Sequence, residues 1–119
     1  MDDYLKLEEY PAAIKEIAEA LIEAKVNYKR VEAELKYAKA QIERFSKLEG
    51  SNKEQRDAHL VMLLHEDLNY KGLNLRLMEL DMTRSKLEVE MNLLRDQFAV
   101  LKLQAQERIS HVRELEALS

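Results

Sequence analysis

From Leu7 to Phe45 the apolar residues recur at Leu7, Tyr10, Ile14, Ile17, Leu21, Ala24, Tyr28, Val31, Leu35, Ala38, Ile42 and Phe45. The spacing alternates three and four without a miss. A helix advances 3.6 residues per turn, so this pattern lays one continuous apolar seam along one side of a long helix. No strand can carry it, because strand side chains alternate with period two. Small residues at Ala24 and Ala38 let a partner helix approach closely. Pro11 suits a first helical turn, where its missing N–H costs nothing, and residues 3–9 read as a separate turn or kinked lead-in.

Breakers are scarce elsewhere too. The 119 residues include two glycines and one proline, too few for the turns of a sheet-rich fold. The expected class is all-α: one domain over 1–119, with a helix at about 11–48, a turn at 49–52 and a second helix at about 53–116. Gly50 would close the first helix in a left-handed conformation. Ser51 followed by Glu54 would form a capping box for the second. A connection this short implies antiparallel neighbours, hence a long coiled-coil-like hairpin.

The second run carries its own seam at Leu73, Leu77, Leu80, Arg84, Leu87, Met91, Leu94, Phe98, Leu101, Ala105, Arg108, Val112 and Leu115. The two arginines suggest wet or exposed places. Before it, Leu60, Leu63, Asp67 and Tyr70 follow the same spacing, but from Tyr70 the step lands on Asn74 rather than Leu73. This slip of one residue sits beside Gly72. Either a continuous helix is locally overwound, or the chain breaks within 67–74. One glycine costs a helix only about 1 kcal/mol, so continuity is the expectation. A monomeric three-helix bundle broken near Gly72 is the alternative.

Folding back at 49–52 makes facing positions sum to about 101. Ile42 then meets Leu60, Ala24 meets Leu77, Leu21 meets Leu80 and Leu7 meets Leu94, which leaves an overhang from about residue 95. A second stripe on the same run, at Leu75, Met78, Met82, Val89, Leu93, Val100 and Leu103, also lacks a partner. Together they point to a homo-oligomer with Leu75, Met78, Met82, Val89, Phe98, Val100, Leu101 and Leu103 at its interface.

Nothing in the sequence suggests catalysis. His59, His65 and His111 form no Glu-x-x-His pair of the kind di-iron bundles use. No glycine-rich phosphate loop and no nucleophile elbow is present. The expectation is a non-enzyme without metal or cofactor. No apolar run reaches a membrane span, and the acidic "MDDYLKLEEY" is unlike a signal peptide, so the expected location is the cytoplasm.

Formal net charge is −4, and residues 1–50 carry nine basic and eleven acidic groups. Nucleic-acid binding is therefore not favoured, although Lys25, Lys29, Arg30, Lys36, Lys39 and Arg44 cluster among interleaved glutamates expected to pair with them. Tyr37, off the seam, is the better exposed aromatic.

Beyond the turn, Gly50, Asn52, Arg56 and Leu60 fit Gly-x-Asn-x-x-x-Arg-x-x-x-Leu. The acidic "HEDLNYKGL" follows, then an Ala/Leu/Glu-type helix ending near "FAVLK". The pattern resembles small all-helical phage proteins of poorly defined role, often encoded among replication and recombination genes. The resemblance implies a phage origin, residence in the host cytoplasm and work beside DNA-processing or host-defence proteins. It brings no catalytic residues. On this view Asn52 and Arg56 are the residues to watch; with the exposed Tyr37 they make up the candidate partner-binding residues. Three functions follow: a protein-interaction module, a DNA-binding recombination accessory, or a structural coiled-coil assembly protein.

Overall fold

The computed structural model describes residues 4–119, and about 90% of the described residues are helical, with no strand among them. The fold is all-α. A single 3-10 turn, Leu7–Glu9, leads into α1, Tyr10–Phe45; α2 is Lys53–Glu66 and α3 is Leu68–Leu118. The lead-in expected at 3–9 is thus a turn, although Asp3 lies outside the described residues. Its start is tied by the Glu9 carboxylate, which accepts from the Lys6 N–H at 3.0 Å. Pro11 falls in the first turn of α1.

Helix α1 stops at Phe45, three residues before the expected end. In a continuing helix the Glu49 N–H would donate to the Phe45 carbonyl. Instead it donates to His59 Nδ1 at 2.8 Å. The connection therefore spans 46–52 and lies along α2. Gly50 does not cap α1. It has φ +139°, and a Cβ there would stand 2.5 Å from the Cβ of Gln55, so it permits close approach of the loop to α2.

The expected capping box does not form, and the cap sits one residue later. Asn52 is the N-cap, and its Oδ1 accepts from the Gln55 N–H at 2.9 Å. Gln55 Oε1 reaches back to the Ser51 N–H at 2.7 Å and the Ser51 hydroxyl at 2.9 Å. Glu54 takes no part in the cap: the residue three beyond the N-cap is Gln55.

The second long helix is in fact two. Asp67, with φ −76° and ψ 117°, closes α2 by donating its N–H to the Leu63 carbonyl at 3.0 Å. Its Oδ1 then accepts from the Tyr70 N–H at 2.8 Å and so starts α3. An aspartate that offers the backbone this local partner stabilises a cap over a continuing helix. The helix instead runs unbroken through Gly72. This accounts for the slip: Tyr70 already belongs to the α3 seam, three residues before Leu73, while Asp67 belongs to neither seam.

The chain divides into two compact units, one of the described residues up to Ile22 with Ser85–Ser119, the other Glu23–Arg84. In the second unit Ala24, Val31, Ala38, Leu60, Leu64 and Leu80 are buried. Here α1 and α3 run antiparallel: Arg84 sits over the ring of Tyr28 at 5.6 Å, and Ala38 and Ile42 line a groove with Asp67, Asn69 and Leu73. Arg84 is not the wet interruption expected. It is half-buried, ion-paired with Asp81 and stacked on an aromatic face, which a planar guanidinium does well.

In the first unit Tyr10 is fully buried and stacks on Phe98 at 5.6 Å, 11° from parallel. Its hydroxyl donates to Gln97 Oε1 at 3.1 Å, and Lys102 Nζ lies 4.4 Å above the Phe98 ring. Met91 is also buried in this unit. Tyr10 therefore faces Phe98 rather than position 91. The pairing is shifted because the loop and α2 together use residues that a simple fold-back would have laid against α1. Ile42 correspondingly lines a groove with Asp67, Asn69 and Leu73 at the start of α3. Leu101 and Ala105 are half-covered, and the overhang begins at 106 rather than 95.

Candidate interaction surface

The first unit presents two apolar surfaces on α3. One is the seam itself, covered through Ala105 and exposed from 106 onward. The other faces away from α1 and holds Val89, Leu93, Val100 and Leu103, all more than half exposed. At 100° per residue these four fall within an arc of about 80°, opposite the buried seam. Of the expected interface residues, Val89, Val100 and Leu103 are brought together on this outer face. Phe98 and Leu101 are not. They point inward, Phe98 against Tyr10, because the shifted pairing covers positions that the expected fold-back left bare. Tyr10 was legible only as a seam residue, and its partner depended on register.

In the second unit Leu75, Met78 and Met82 are exposed on α3, with Leu68 also bare at its start. Val61 and Met62 on α2 and Val26 on α1 are exposed apolar residues that lie off the expected seams. Their only signal was an apolar type off the seam.

The candidate partner-binding residues behave differently from one another. Asn52 is occupied as the N-cap of α2. Arg56 is exposed one helical turn further on, and its side chain makes no ion pair among the described residues. Tyr37 is 67% exposed and borders the groove of about 580 Å³ lined by Ala38, Ile42, Asp67, Asn69 and Leu73. The three are not gathered into one site. The six basic residues from Lys25 to Arg44 are exposed, and the expected pairs with their interleaved glutamates are missing: none makes an ion pair within 4 Å among the described residues. Arg44 lies over the Phe45 ring at 5.4 Å instead.

Among the described residues there is no group of three or more His, Asp or Glu side chains placed to hold a metal. No helix there is long and apolar enough to cross a membrane. No known family model, curated protein or solved structure matches the chain.

Proposed function

We propose that the protein is a non-catalytic protein–protein interaction module that self-associates through the outer face of α3 in its first unit. The supporting observation is the row Val89, Leu93, Val100 and Leu103, exposed on one side of a helix whose opposite side is already packed. A helix apolar on two sides needs two neighbours. A second copy is the commonest solution for such a face. Each side chain is partly covered by its own helix, so its full burial adds roughly 1 kcal/mol. Work beside phage recombination, replication or host-defence proteins is proposed on the sequence resemblance alone.

The test is light scattering at tens of micromolar on the wild type and on Val100→Glu with Leu103→Glu. The wild type should be oligomeric, and the variant should give smaller particles with unchanged helix content, since both residues are exposed. A monomeric wild type defeats the proposal.

A second reading, a DNA-binding accessory, is favoured by one observation: the exposed basic residues of α1 without ion pairs. Titration with duplex DNA should then show binding that weakens steeply with salt; no binding at low salt removes it.

A further inference from the structure

We infer that the end of α3, residues 106–119, pairs antiparallel with the same segment of a second copy of the chain. The inference rests on the self-association proposed above but uses the opposite side of the helix. The seam that packs through Leu94, Phe98, Leu101 and Ala105 continues in step as Arg108, Val112 and Leu115. Every residue from 106 to 119 is exposed. Nothing remains of α1 to cover this stretch, because Tyr10, its first residue, already lies at Phe98.

The uncovered stretch is about 21 Å of helix. A helix of similar length with the same three-and-four spacing would cover its apolar side. The same segment of a second copy meets both conditions, and two tails that cover each other form a closed pair.

Charge selects the direction. A parallel, in-register pair would place Arg108 against Arg108 of the second copy inside the seam, two like charges in a partly desolvated layer. An antiparallel pair in which facing positions sum to 227 seats Val112 on Leu115 of the second copy, and Leu115 on Val112 of the second copy. Arg108 then faces Ser119 of the second copy, one helical turn from Glu116 of the second copy. The two-fold makes that pairing twice, so the residue that opposes the parallel form is complemented in the antiparallel one.

The full chain has no cysteine, so in the Val100→Glu, Leu103→Glu background a nitroxide on Gln104→Cys reports one distance per dimer. In the antiparallel pair the two labels are offset by about 28 Å along the axis. In a parallel pair they sit at one level, within roughly 20 Å. Sedimentation equilibrium in the Val100→Glu, Leu103→Glu background, which lacks the outer-face contact, supplies the second readout. Val112→Glu with Leu115→Glu should weaken the dimer at least tenfold, and Arg108→Glu should weaken it severalfold. Adding Glu116→Arg to Arg108→Glu should restore it. All of these side chains are exposed, so circular dichroism should show each variant still helical. A separation under 20 Å, failure of the charge swap to restore the dimer, or a dimer indifferent to Val112→Glu with Leu115→Glu overturns this inference. If in the last case the wild type still forms larger particles than the Val100→Glu, Leu103→Glu background, self-association through the outer face stands. A monomeric wild type removes both.

Discussion

The two units spend the same kind of helix differently. The second unit builds its core from segments of three helices and holds six of the eight buried apolar residues among those described. Its segment ends are tied by side chains: Asn52 and Asp67 cap α2 and α3, and His59 holds the loop. Among its described residues the first unit has helical segments of α1 and α3 with their lead-in turn, and Tyr10 and Met91 are its buried apolar side chains. Its contact is led by aromatic stacking, and its outer face and tail stay apolar and bare. Two helices can cover only one face of each other, whereas a third segment with capped ends closes a small core. The comparison teaches where stability and association should reside: the former in the second unit, the latter in the first.

The largest expected effect separates these roles directly. Val31 is 3% exposed in the second unit, and Val89 is 68% exposed in the first. Val31→Asp should cost about 3–5 kcal/mol, as an uncompensated buried charge does. Val89→Asp should change stability by less than about 0.5 kcal/mol when measured on dilute, dissociated protein. Urea unfolding gives both values, and similar losses would erase the distinction between the units.

Next in size is Gly50. Alanine there meets both an unfavourable φ and the 2.5 Å approach to Gln55 Cβ, so Gly50→Ala should destabilise by about 1–3 kcal/mol. The other glycine should behave oppositely. Gly72 lies inside α3, and a methyl group there would meet nothing within 4 Å, so Gly72→Ala should stabilise by about 0.5–1 kcal/mol. Thermal unfolding of the pair sharpens the comparison within one unit, and matching signs would show that the loop is not packed on α2 as described.

The smallest effect concerns the joint between α2 and α3. Asp67→Ala removes the acceptor for the Tyr70 N–H and should cost about 1 kcal/mol. Amide exchange should quicken at Tyr70 more than at Met91, which lies in the other unit. Equal acceleration at both would mean that the units do not open separately.

Much of this could be read from residues alone. The seam from Tyr10 to Ile42 is covered along its length, with Tyr10, Ala24, Val31 and Ala38 buried at their predicted places. Only its ends fail: Leu7 and Phe45 are exposed. The outer stripe through Val89, Val100 and Leu103 was legible for the same reason, since side-chain direction on a helix follows from spacing. Phe98 and Leu101 were misplaced because spacing says which side of a helix is apolar but not which apolar side finds a neighbour.

Helical class and the identity of each apolar face are local properties, carried by residues three and four apart, and the sequence by itself determined them. The stops and the register were decided by tertiary structure. The Glu49 N–H has two competing acceptors, the Phe45 carbonyl four residues back and His59 Nδ1 on another helix; only the folded chain brings the second within reach. Asp67 could have remained a polar residue on a continuous helix, and it became a cap where α2 and α3 part. Once those two choices are made, Tyr10 meets Phe98 and the bare end of α3 begins at 106. Each choice is a difference of about one hydrogen bond, roughly 1 kcal/mol, too small for periodicity to reveal and large enough to set where every later residue lies.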